Sequence, residues 1–117
     1  MIETFKEFTF DAAHTVPPHS AVHGHTFKVG VFLRGDPDPM FGWPANLFEV
    51  EREIEVVRQQ LDHKYLNDIE GLAVPSLENV VRWIWERLEN RLSGLDRIVV
   101  RRGADGHAEG CTYHGRM

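Results

Sequence analysis

A single cysteine stands among 117 residues, so no internal disulfide can form, which fits a reducing compartment. Nowhere do eighteen apolar residues follow one another, and the opening MIETFKEFTF has neither an apolar run nor a cleavage site. The expectation is a cytoplasmic chain that does not enter membranes. Positive charge is also short: 13 Lys+Arg stand against 18 Asp+Glu, a formal net charge of −5. That argues against nonspecific binding to nucleic acid or an anionic bilayer, both of which rely on dense positive charge. Repeats and linkers are missing too. The longest punctuated stretch, Gly35-Asp-Pro-Asp-Pro-Met-Phe-Gly42, is too short to join domains, and residues 1–117 read as one domain. What is abundant is histidine: seven in all, with His14, His19, His23 and His25 inside twelve residues. A domain of this length can build its core without structural metal, so stability does not account for them.

Apolar and polar residues alternate over 3–12, a strand running into His14. From 23 to 33 the odd positions are His23, His25, Phe27, Val29, Val31 and Leu33, and period two puts both histidines on one face. Leu47, Val50, Ile54, Val57 and Leu61 recur at helical spacing, giving an amphipathic helix that ends near Asp62-His63. A second helix starts after Pro75, capped by Ser76 with Glu78 in its positive first turn, and runs along Leu77, Val81, Ile84, Leu88 and Leu92 to a stop at Gly94. Within it Trp83 points away from the apolar stripe. Residues 98–102 and 111–114 form short strands joined through Asp105-Gly106, a hairpin signal. The order β-β-α-α-β-β gives an α+β domain, an antiparallel four-stranded sheet with two helices on one face. Its other face and two edges then stand open, which assembly with further copies would cover.

Three neutral imidazoles leave one position open on tetrahedral zinc, the arrangement that suits catalysis. His14, His23 and His25 are the three candidates, and the bland alternative is histidines that bond to backbone. Asp62-His63 pairs a carboxylate with an imidazole, which suits acid-base work; as a helix end it also reads as a solvated pair. Cys111 reads as a small buried strand residue. Arg101-Arg102 is either an exposed strand end or a cationic patch for an anionic ligand.

Together the stretches Phe8-Thr-Phe-Asp-Ala-Ala-His14, His23-Gly-His25, Gly42-Trp43, Leu61-Asp-His-Lys-Tyr-Leu-Asn67, Pro75-Ser-Leu-Glu-Asn79 and Cys111-Thr-Tyr-His-Gly115 resemble the family of 6-pyruvoyltetrahydropterin synthase. Leu-Asp-His-x-x-Leu-Asn, Gly-x-x-x-Pro and Cys-x-Tyr-x-Gly look like its bacterial branch, 6-carboxy-5,6,7,8-tetrahydropterin synthase of the queuosine pathway. The resemblance implies the tunnelling fold, in which three subunits close their sheets into a barrel and two rings stack as a homohexamer with active sites between subunits. It implies zinc on His14, His23 and His25, a relay through Asp62 and His63, and a dihydropterin substrate such as 7,8-dihydroneopterin triphosphate. Ser76, Glu78, Glu109 and Arg102 are the substrate-binding candidates.

The sequence also departs from the family pattern. The family's catalytic cysteine usually lies four residues before His-x-His, where this chain has His19. An imidazole there either accepts the proton in place of a thiolate or folds inward as a fourth zinc ligand. A glutamate near Arg102 normally anchors the pterin, and a guanidinium offers only donors. Either Glu109 restores that contact or the ligand is a more acidic molecule. Two functions are therefore carried forward: a zinc-dependent lyase of dihydropterins, and a paralogue that keeps fold and metal but binds a small heterocycle without the family reaction. A scaffold whose histidines only pack would hold no stoichiometric metal.

Overall fold

Side-chain alternation along the first third of the chain produces two long strands, β1 (Ile2–His14) and β2 (His23–Gly35), paired antiparallel from Ile2↔Gly35 to His14↔His23. The computed structural model describes residues 1–18, 20–103 and 106–116. Helix α1 (Leu47–Leu61) starts where the Asn46 side chain accepts the Phe48 amide, and α2 (Leu77–Leu88) starts where Ser76 accepts that of Asn79. Each cap meets one of the backbone N–H groups that a helix start leaves without a partner. Strands β3 (Leu95–Arg102) and β4 (Glu109–Tyr113) complete one antiparallel sheet in the order β1-β2-β3-β4. The arrangement is the expected β-β-α-α-β-β, an α+β domain.

The core lies between one sheet face and the two helices. Phe10 stacks on Phe27 with ring centroids 4.8 Å apart, and Val29, Val31, Ile98 and Val100 extend that layer against Val50, Ile54, Val57, Val80, Ile84 and Leu88. On the other face Phe5 stacks on Phe32 at 5.2 Å, and the Arg97 guanidinium lies 4.0 Å over the Phe32 ring. Glu3 meets Arg97 in a two-pronged pair, both contacts at 2.8 Å. Among the described residues no helix covers this face, and Phe5 remains 52% exposed.

Several local expectations are corrected. Helix α2 ends at Leu88 rather than near Gly94; Leu92 still reaches the core because its amide bonds back to the Leu88 carbonyl, closing a single α-turn that is not continued as helix. Trp83 does not face outward. Its indole N–H donates to the Glu70 carbonyl at 3.1 Å, Arg87 covers the ring at 3.5 Å, and only 4% of the residue is exposed. The cause is the segment around the short 3-10 turn Leu66–Asp68, which folds back over α2 and covers a flank that the helical stripe alone leaves bare. Strand β3 begins at Leu95 rather than Ile98, and β4 runs Glu109–Tyr113 rather than 111–114. Gly94, at φ +80°, lets the chain turn into β3 where a Cβ would sit 2.6 Å from the Arg34 carbonyl oxygen. In the β3–β4 hairpin Asp105 lies outside the described residues.

Candidate metal centre

His14 ends β1 on the covered face, two residues beyond Ala12 and four beyond Phe10, and is fully buried. His23 stands directly opposite it on β2, and His25 stands opposite Ala12. Strand periodicity and antiparallel register therefore bring three rings to one place: centroids lie 4.7 Å (His14–His23), 5.1 Å (His14–His25) and 4.8 Å (His23–His25) apart. Their nearest ring nitrogens all fall within 4.8 Å of one another. Phe27 closes the inner side, edge-on to His14 and His25.

Hydrogen bonds fix which nitrogen is bare. His14 Nδ1 meets the Pro75 carbonyl at 3.0 Å and His23 Nδ1 meets the Ala21 carbonyl at 3.1 Å. A carbonyl only accepts, so each Nδ1 carries the proton and each neutral ring keeps a lone pair on Nε2. Those two Nε2 atoms are 3.1 Å apart. Two lone pairs at that distance repel unless a proton or a cation lies between them. A tetrahedral ion with nitrogens at about 2.0–2.1 Å holds its ligand atoms roughly 3.4 Å apart, close to the separation of these two atoms. Burial lowers the pKa of both His14 and His25, and the Arg102 charge pushes His25 further down. His14 and His25 are thus biased toward the neutral form that a metal ion requires. The residues fit a metal ion.

A profile of the 6-pyruvoyl tetrahydropterin synthase family matches residues 3–115. The chain belongs to that family. A 6-carboxy-5,6,7,8-tetrahydropterin synthase of Synechocystis is 36% identical over 106 residues, 82% of either chain. A dihydroneopterin monophosphate aldolase of Pyrococcus furiosus is 34% identical over 88 residues, 74% of either chain. The fold superposes on the 6-pyruvoyl tetrahydropterin synthase of Caenorhabditis elegans with a TM-score of 0.88 at 25% identity, over 98% of this chain and 96% of that one. The architecture is the family's tunnelling fold.

A shallow cavity of about 590 Å³ is lined by Asp11, Ala13, Gly24 and Thr26 together with Tyr65 and His63. Beside His63, Asp62 caps α1. One carboxylate oxygen accepts the Asp11 amide at 2.9 Å, and the other accepts Arg58 at 3.2 Å. The Asp11 amide, assisted by His63 and Arg58, holds the Asp62 carboxyl below the usual carboxylate range. His63 Nε2 is 3.9 Å from Asp62 Oδ1, an ion-pair distance too long for a hydrogen bond. His63 itself sits at φ +59° while its amide donates to the Asp11 carbonyl at 2.7 Å. A left-handed histidine costs free energy and persists because β1 grips its backbone.

In this family member the other candidates are placed as follows. Ser76 is engaged as the cap of α2, and Glu78 lies exposed in its first turn. Arg102 and Glu109 face each other across β3 and β4, with Arg102 Nε and Nη2 both 2.9 Å from Glu109 Oε1. His19 lies outside the described residues. Cys111 stands on β4 opposite Val100, where burial raises its thiol pKa.

Two supporting groups escaped the sequence reading. The Pro75 carbonyl that fixes His14 has no side-chain signature. Asn67 clamps the strand end beyond His14, its Oδ1 accepting the Thr15 amide and its Nδ2 donating to the Thr15 carbonyl, both at 2.9 Å. Its place in the stretch Lys64 to Asp68 reads from sequence as no more than a capped turn.

Proposed function

We propose that this chain is a zinc-dependent lyase that acts on 7,8-dihydroneopterin triphosphate or a related dihydropterin. The observation that carries the reading is the cluster of His14, His23 and His25, whose ligand atoms lie within 4.8 Å of one another in a chain of this family. Zinc bound by His14, His23 and His25 would polarise a substrate oxygen, so that a neighbouring C–H or O–H loses its proton more readily. The chain's own groups do the rest. Asp62 stays ionised with an oxygen 3.9 Å from His63 Nε2, and His63 moves a proton at that nitrogen while its amide stays bonded to the Asp11 carbonyl. His19 is assigned the part of the family's cysteine as a second proton acceptor. Ser76, Glu78, Glu109 and Arg102 are assigned to substrate binding, with Glu109 as the carboxylate that accepts the ring's N–H groups.

The only cysteine is half-buried on β4, two strands from the histidines, which favours proton transfer by imidazole over a thiolate. We assign the working form to a homohexamer, two rings of three, supported by the uncovered sheet face around Phe5 and Phe32.

The test is turnover. Zinc-loaded protein incubated with 7,8-dihydroneopterin triphosphate, and separately with sepiapterin, yields new pterin products on chromatography; no product above a zinc-free control overturns the lyase. One zinc per chain with ring binding but no product would instead establish the binding paralogue.

A further inference from the structure

His14 depends on two separate pieces of chain. Its backbone ends β1, where pairing with β2 stops at His14↔His23, so Thr15 lies beyond the sheet. Its ring is held by the carbonyl of Pro75, 61 positions away. His23 needs no such reach, because its Nδ1 meets the Ala21 carbonyl two residues back. The metal-ready form of His14 therefore requires the exit of β1 to be registered against residues 73–75, which belong to neither helix nor strand.

One side chain among the described residues bonds to both pieces. Asn67 Oδ1 accepts the Thr15 amide at 2.9 Å. Its Nδ2 donates to the Thr15 carbonyl at 2.9 Å, to the Thr15 hydroxyl at 3.1 Å and to the Ala73 carbonyl at 3.3 Å. These partners fix the orientation of the amide, since the Thr15 N–H demands an oxygen and the two carbonyls demand an NH2. The next two carbonyls have donors of their own. Val74 accepts Asn79 Nδ2 at 2.8 Å and the Ser76 amide at 3.0 Å, and Pro75 meets His14 Nδ1 at 3.0 Å. Three consecutive carbonyls are thus held, the first by Asn67 and the last by His14 itself.

We propose that Asn67 is a positioning residue for the metal centre: by tying Thr15 to Ala73 it keeps the Pro75 carbonyl at His14 Nδ1, and so keeps Nε2 bare for the ion. Were that carbonyl to drift, the ring proton would be free to move to Nε2, and an Nε2–H tautomer cannot bind metal through that atom. Groups standing behind a ligating imidazole tune metal centres in this way. The inference rests on the metal reading above and assigns to Asn67 the retention of the ion, with no contact to substrate.

Asn67→Asp tests it, because the variant keeps the oxygen that faces the Thr15 amide and sets a second oxygen against two carbonyls. Zinc affinity of the full chain, measured by competition with a chromophoric chelator, should fall about 10–100-fold, and the visible spectrum of cobalt-loaded protein should change. Asn46→Ala removes the cap at the end of α1 remote from Asp62; it should lower the urea midpoint and leave zinc affinity unchanged. An Asn67→Asp affinity equal to that of wild type, whatever its stability, overturns the inference. Nitrogen NMR of zinc-free protein at neutral pH separates it from the metal reading: wild type should show a His14 Nδ1–H that Asn67→Asp loses. A wild type that takes up no zinc removes the metal reading, while loss of that signal in the variant keeps Asn67 as the residue that positions His14. A signal unchanged in the variant overturns the positioning. If Asn67→Asp does not fold, exchange of the Thr15 amide in wild type decides. Slow exchange with and without zinc supports a clamp set in advance, and protection that arises only with zinc overturns it.

Discussion

At His14 burial and hydrogen bonding pull the ring's proton in opposite directions. Loss of water lowers the pKa, the Pro75 carbonyl raises it, and burial is the larger influence. His25 is lowered by burial and by Arg102. Because both folded pKa values lie below the unfolded value near 6.5, the unfolded chain binds more protons in the window just beneath that pH. Stability of the zinc-free protein therefore falls as pH drops below about 6.5 and levels off once the folded rings are also protonated. Urea midpoints at pH 7.5 and 5.5 should show the loss, and His25→Asn should flatten the slope; an unchanged slope contradicts it. For the metal itself, zinc-loaded wild type should carry one zinc per chain by plasma mass spectrometry, and His14→Ala should carry less than a tenth of that. The paired histidines of β2 were legible because period two is a property of any strand. The proton on His14 Nδ1 was not, since its partner carbonyl is 61 positions away and is backbone.

Among the elements, α2 shows how far periodicity reaches. Its start was visible in Pro75-Ser76, and the Ser76 hydroxyl does accept the Asn79 amide at 3.2 Å. Ser76→Ala should cost about 1 kcal/mol in chemical denaturation, with zinc content unchanged. A much larger loss, or loss of zinc, would mean that the cap also governs the Pro75 carbonyl. Its end was not visible, because Leu92 is at helical spacing yet is brought inward by a turn. Trp83 was misjudged for a related reason: a helical wheel shows one packing partner, and here a second layer covers the other flank. At the entry to β3, Gly94→Ala forces a Cβ into contact with the Arg34 carbonyl at a positive φ. The expected loss is about 1–3 kcal/mol, measured by the same denaturation.

For the whole molecule, the order of elements and the covered face followed from alternation and helical spacing, which depend on chain-local geometry. The open face did not reveal its detail in that way. The row Phe5, Phe32 and Arg97 exists only once register aligns three strands. If copies assemble through the open face and edges, light scattering should give a multiple of the 13.5 kDa chain, and Phe5→Glu should shift the population toward single chains. A single-chain mass for the wild type would refute assembly. The same long-range wiring bears on how the protein is made. All three histidines leave the ribosome well before Pro75 does, so β1 and β2 are both synthesised while His14 Nδ1 still lacks the carbonyl that it meets in the folded chain. Only when the chain has been synthesised to the threshold of α2 does a carbonyl arrive to lock that ring. The orientation of the His14 ring is thus tied to completion of the domain as far as the start of α2.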